Sequence, residues 1–138
     1  MAKTVQSHSV EETIRIARNY AKSLKKGDVI CLKGELGAGK THFVKGIADY
    51  FNFQMNQVSS PTFTLINEYA ADIPIYHFDC YRIENESEAL EIGAEEYFFD
   101  EGVSLIEWPE KIQSLIPVQA RTVEIRNLNN NLREIIFS

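Results

Sequence analysis

The sequence predicts a three-layer α/β domain: a parallel core sheet with antiparallel additions and a C-terminal β-hairpin. Three observations carry this. First, the apolar, β-branched run Val29-Ile30-Cys31-Leu32 is followed by Gly34-Glu35-Leu36-Gly37-Ala38-Gly39-Lys40-Thr41, and then by Phe43, Val44, Ile47, Ala48 and Phe51 at helical spacing. That is a strand, a glycine-rich loop and an amphipathic helix. Second, two further apolar runs, Ile75–Asp79 and Val103–Glu107, each end in an acid, as strands do whose C-termini build the ligand site of an open α/β sheet. Third, Arg121–Arg126 and Leu132–Phe137 alternate polar and apolar residues around an Asn-rich turn, which predicts an antiparallel hairpin at the edge of the sheet.

The elements follow in chain order. Ser9 and Glu12 form an S-x-x-E capping box, and Val10, Ile14, Ala17, Ala21 and Leu24 recur at helical spacing. This predicts a helix from Val10 to Leu24, closed by Lys25, Lys26 and Gly27, whose role is packing. Its start is also the one segment on offer to line a nucleotide base. After the loop helix, residues 52–57 form a polar connection. Pro61 disfavours helix at Ser60, and Phe63–Tyr69 reads as a strand pairing with Ile75–Asp79 across the short link 70–74. Glu86–Ala94 reads as a short helix with Leu90 and Ala94 on one side, followed by the aromatic, acidic, part-buried segment Glu95–Asp100. Pro109 opens a helix that stops before Pro117.

At 138 residues the chain is predicted to be one domain, residues 1–138, with ordinary shares of apolar (44%) and charged (25%) residues. No apolar run approaches the ~20 residues of a bilayer span. The segment Met1–His8 lacks the apolar core of a secretory signal, so a cytoplasmic chain is expected. Cys31 and Cys80 sit in strand-like runs and are read as buried reduced thiols. The net charge of −6 argues against wide, independent nucleic-acid binding; if the chain serves a nucleic-acid pathway, another subunit holds the nucleic acid.

The loop fits G-x-x-x-x-G-K-[ST], the phosphate-binding loop. Its main-chain amides, from Glu35, Leu36, Gly37, Ala38 and Gly39 through Lys40 and Thr41, would point into one hollow at a helix N-terminus. Lys40 would reach the β- and γ-phosphates and the Thr41 hydroxyl would hold Mg²⁺. Asp79 and Glu107 are the candidate carboxylates, and the pattern leaves open which lies nearer the metal and which positions the attacking water. The absence of N-K-x-D favours ATP over GTP. Hydrolysis or a nucleotide-governed binding switch fits better than a small-molecule kinase, which usually needs more chain for a lid and an acceptor pocket. Arg82 is the one arginine near Asp79.

Four blocks then carry a resemblance. Gly-Glu-Leu-Gly-Ala-Gly-Lys-Thr (34–41), Ser-Pro-Thr-Phe-Thr-Leu (60–65), His-Phe-Asp-Cys-Tyr-Arg (77–82) and Ile-Glu-Trp-Pro-Glu (106–110), in this order and spacing, resemble the TsaE (YjeE) family of small bacterial P-loop ATPases. Cys80 departs from the pattern, where the family usually has Leu. The resemblance implies the ATPase component of the machinery that forms N6-threonylcarbamoyladenosine at position 37 of tRNA, acting with TsaB and TsaD and reaching tRNA through them. It implies ATP or ADP and Mg²⁺ at the loop, phosphate contact by Lys40, and metal ligation by Thr41 with Glu107. It also implies a hydrolytic role for Asp79, a γ-phosphate-sensing Thr62, and Trp108 beside the site.

Overall fold

The structure is a computed structural model that describes residues 3–35, 37–59, 65–129 and 131–138. Strand β1 (Lys3–Ser7) leads into α1 (Val10–Ala21). Ser9 caps the helix as predicted, its Oγ accepting the Glu12 N–H at 3.0 Å, but the return half of the box is shifted: Glu12 Oε1 accepts the His8 N–H at 3.0 Å, one residue before the N-cap. The helix ends at Ala21 rather than Leu24. The amides of Lys22, Ser23 and Leu24 bond to carbonyls three residues back, tightening the last turn into 3₁₀ geometry while Leu24 remains buried.

Strand β2 (Val29–Lys33), the loop and α2 (Lys40–Tyr50) follow as predicted, with Phe43, Val44, Ile47 and Ala48 fully buried. A 3₁₀ turn at Met55–Gln57 sits in the polar connection. Strand β3 spans Ile66–Tyr69, shorter than the predicted strand, whose residues 63–64 lie outside the described ones. Strands β4 (Ile75–Asp79) and β5 (Val103–Glu107) match their predicted bounds. Between them lie α3 (Glu86–Glu91) and α4 (Ala94–Phe98). Leu90 is exposed, against expectation: α3 stops at Glu91 and the chain turns at Gly93, so Ala89 and Ala94 take the inward positions. The Pro109 segment is 3₁₀ rather than α, because Ile112 (φ −131°, ψ 32°) breaks it into two turns. Strands β6 (Arg121–Asn129) and β7 (Leu132–Phe137) complete the fold.

The described strands form one sheet in the order β1-β7-β6-β2-β5-β4-β3. Strands β6, β2, β5 and β4 are parallel neighbours; β3, β7 and β1 are added antiparallel. The C-terminal hairpin is therefore not at the edge. β6 joins the parallel core through β2, and β1 covers β7, because β7 offers an open row of backbone groups that Lys3–Ser7 can pair.

Alternation then sorts the core into two clusters, one per sheet face. Ile30, Leu32, Ile75, Val103 and Leu105 pack with α1 and α2; Val29, Tyr76, Phe78 and Ile106 pack with Ala89, Ala94, Phe98 and Ile112. Helices thus cover both faces. Helix α1 lies close on α2 at Gly46, where a Cβ would come within 2.4 Å of the Ile14 carbonyl oxygen. Cys31 and Cys80 are buried free thiols, and burial pushes them up to about 11 and about 12, so they stay protonated.

Candidate functional site

Strand β2 delivers the chain to the loop and α2 takes it away. Gly39 is the N-cap of α2 at φ 107°, a conformation that a side chain would strain. No side-chain hydrogen bond from Gly39 caps this helix and no acid lies in its first turn, so the positive end of α2 faces the loop without an acid of its own turn. Glu35 and Gly37 are exposed, Ala38 is buried, and Thr41 lies half-buried in the first turn. Leu36 and Thr62 lie outside the described residues.

Lys40 is only 5% exposed. Its Nζ donates to the Gly34 carbonyl at 2.7 Å, lies 3.8 Å from Glu107 Oε1, and stands 4.2 Å from the centroid of a Trp108 ring. Burial lowers its pKa from the ordinary lysine value, while Glu107 and Asp79 pull the other way. Trp108 reaches this place because its backbone turns left-handed (φ 58°, ψ 52°) immediately after β5, and Tyr81 packs on it with ring centroids 5.0 Å apart.

Asp79 and Glu107 face one another in register at the ends of adjacent parallel strands, and Glu107 is also level with Leu32 at the end of β2. Both acids thus stand where the phosphate loop leaves the sheet. Their surroundings differ. Asp79 is half-buried and its Oδ1 accepts the Tyr81 N–H at 3.0 Å. Glu107 is 4% exposed, and its Oε2 lies 2.5 Å from Nε2 of the fully buried His77. The other nitrogen of that ring, Nδ1, lies 2.9 Å from the Tyr69 hydroxyl, which is also 2.9 Å from the Ser59 carbonyl oxygen.

His77, Tyr69 and Arg133 were not among the predicted site residues. His77 was within reach of the sequence: two residues before Asp79 on a strand, it must share its face. Arg133 was not. It comes from β7, and its Nε donates to the Ala38 carbonyl at 3.0 Å only because the hairpin folds beside the loop. Arg82, the arginine singled out by proximity in sequence, is exposed. Among the described residues no group of three or more His, Cys, Asp or Glu side chains is placed to hold a metal ion by itself. Nor is any helix among them long and apolar enough to cross a membrane.

A glycine-rich loop between a core strand and a helix, in a largely parallel sheet with helices on both faces, defines the class: this is a P-loop NTPase fold. The crystal structure of Bacillus subtilis YdiB superposes with a TM-score of 0.82 at 36% identity, covering 99% of this chain and 84% of that one. Residues 7–135 match the family described as "Threonylcarbamoyl adenosine biosynthesis protein TsaE". The chain is 45% identical over 129 residues to the tRNA threonylcarbamoyladenosine biosynthesis protein TsaE of Bacillus subtilis, covering 93% of this chain and 80% of the relative. It is 39% identical to that of Treponema pallidum (94% and 95% covered) and 37% identical to that of Aquifex aeolicus (98% and 95%). The chain belongs to the TsaE family of tRNA threonylcarbamoyladenosine biosynthesis, as the four sequence blocks led one to expect.

Proposed function

We propose that this chain is a partner-activated ATPase. It binds and hydrolyses Mg-ATP at the 34–41 loop and works with TsaB and TsaD, in the cytoplasm, in forming N6-threonylcarbamoyladenosine at position 37 of tRNA. The observation that supports it best is the convergence of Lys40, Glu107 and Asp79 at the point where β2 passes into the loop and α2.

The donors present suit Mg²⁺: a threonine hydroxyl and a carboxylate are hard oxygen ligands, and Mg²⁺ is usually held by one or two carboxylates plus substrate phosphates rather than by an all-protein cage. Thr41 and Glu107 would hold the ion, which when bound would neutralise charge on the β- and γ-phosphates. The chain's own groups do the rest. The uncapped end of α2 and the loop amides bind phosphate oxygens, and Lys40 adds a full charge. Nucleotide phosphate would draw the Lys40 ammonium from the Gly34 carbonyl that now accepts from it. Asp79, the more open of the two acids, orients the attacking water; such a group contributes typically about 10²–10⁴ in rate.

Of the two described arginines nearest the candidate site, Arg133 is engaged with the Ala38 carbonyl and Arg82 lies exposed rather than buried among Lys40, Glu107 and His77. An arginine supplied by a partner is worth about 10³–10⁵ in rate. Steady-state ATP hydrolysis by the chain alone and with TsaB and TsaD tests the proposal. We expect a feeble rate alone and a rise of at least tenfold in the complex. Equal rates overturn partner activation, and nucleotide-dependent assembly with no turnover in either state makes the chain a binding switch instead.

A further inference from the structure

The face of β4 that carries Asp79 also carries His77, and the ring has no exposure at all. A buried imidazole is retained at little cost only when both nitrogens are satisfied. Here Nε2 meets Glu107 Oε2 at 2.5 Å and Nδ1 meets the Tyr69 hydroxyl at 2.9 Å. A carboxylate can only accept, so Nε2 carries the proton that joins the ring to Glu107. With one oxygen of Glu107 fixed this way, the other, Oε1, is left facing Lys40 at 3.8 Å.

The connection extends further. The Tyr69 hydroxyl lies 2.9 Å from the Ser59 carbonyl oxygen and accepts the Ser59 N–H at 3.3 Å. Its ring is braced by Phe53, with centroids 4.9 Å apart. One line of contacts therefore runs from Glu107 through a histidine and a tyrosine to the main chain at Ser59, directly before residues 60–64. The hydroxyl thus stands between Nδ1 and the Ser59 main chain, within hydrogen-bond reach of both.

We infer that His77 is a positioning residue that fixes the Glu107 carboxylate toward Lys40 and that Tyr69 tethers it to the main chain at Ser59. The inference rests on the proposed ATP site but concerns groups that would not touch nucleotide. Outer partners that orient a metal-ligating side chain typically matter by about 10–100-fold in affinity or activity.

The test uses the full chain with TsaB and TsaD and three variants, each checked for cooperative thermal unfolding. His77→Ala and Tyr69→Phe should lower kcat for ATP hydrolysis by about 10–100-fold with KM nearly unchanged. His77→Gln, which restores an N–H donor near Nε2, should recover part of the loss. Tyr69→Phe keeps the ring stacked on Phe53, so it answers the question even where His77→Ala fails to fold. A second measurement needs no nucleotide: imidazole ¹⁵N–¹H correlation of the free chain should show His77 protonated at Nε2, with that proton's resonance displaced in Glu107→Gln. Normal kcat in folded His77→Ala and Tyr69→Phe, or an Nε2 without a proton, overturns the positioning role alone. Failure of the wild-type chain to bind Mg-ATP in calorimetry overturns the site itself.

Discussion

Strand β4 turns Tyr76 and Phe78 to one side of the sheet and His77 and Asp79 to the other, and the two sides are built differently. On the α3–α4 side, Phe78 packs against Tyr97 and Phe98 at ring distances of 5.8 and 5.3 Å. The polar contact of Tyr76 is made at the rim, where its hydroxyl donates to Asp100 Oδ2 at 2.8 Å. On the α1–α2 side, His77 of β4, Glu107 at the end of β5 and Lys40 at the start of α2 come together, all nearly or fully buried. Volume holds the first side, and non-directional packing tolerates small shifts of shape. The second side has the larger apolar cluster, packed on α1 and α2, and adds directional bonds where β4 and β5 end. There the loss of one partner strands another in a medium that penalises it. The same alternation that sorts side chains thus separates a face that only packs from a face that packs and also carries the candidate site.

Substitutions on the two sides sharpen this contrast. The largest effect is expected for Glu107→Ala, which leaves His77 Nε2 buried without its partner and takes the carboxylate away from the buried Lys40. It should remove ATP hydrolysis and lower stability by about 3–5 kcal/mol in urea melts. Phe78→Ala should lower stability by a similar amount, about 3–5 kcal/mol from cavity formation, yet leave calorimetric Mg-ATP affinity unchanged while the chain is folded. Equal effects of both substitutions on affinity break the distinction between the faces. Lys40→Ala should weaken Mg-ATP by about a hundredfold, or ~3 kcal/mol from charge-assisted bonds to phosphate, with the circular dichroism of the fold retained. Unchanged affinity counts against the assigned loop.

The smallest effect is at the rim. Burial, then the hydrogen bond to Asp100, pushes the Tyr76 hydroxyl up to about 12 from 10.0. A pKa raised in the folded state gives a contribution that is complete below the unfolded value and lost as pH rises through the folded one. Tyr76→Phe should therefore cost about 1 kcal/mol at neutral pH. The gap from wild type should close between pH 10.0 and about 12 in denaturant melts. A gap that is constant with pH removes the hydroxyl from the account.

What was legible in the sequence divides along physical lines. The bounds of Ile75–Asp79 and Val103–Glu107, the Ser9 cap and the buried stripe of α2 were readable because each depends on neighbours a few residues away. Leu90 was misplaced because a helix of one and a half turns has no dependable inner face once Gly93 ends it. The helix predicted after Pro109 became 3₁₀ turns because packing buries Ile112 completely in a non-helical conformation. The hairpin was recognised but its place was not, since only the pairings with β2 and β1 assign it.

The chain by itself determined the loop, the two acid-ended strands and the family, because those are spelled out in contiguous residues whose local torsions and periodicity leave few alternatives. Tertiary structure alone decided that Glu107 is buried on His77 while Asp79 stays open, that Tyr69 links that pair to Ser59, and that Arg133 reaches Ala38. Those depend on strand register and on which segments the sheet brings side by side, and such long-range pairing is set by the packing of the whole sheet rather than by any one stretch of it.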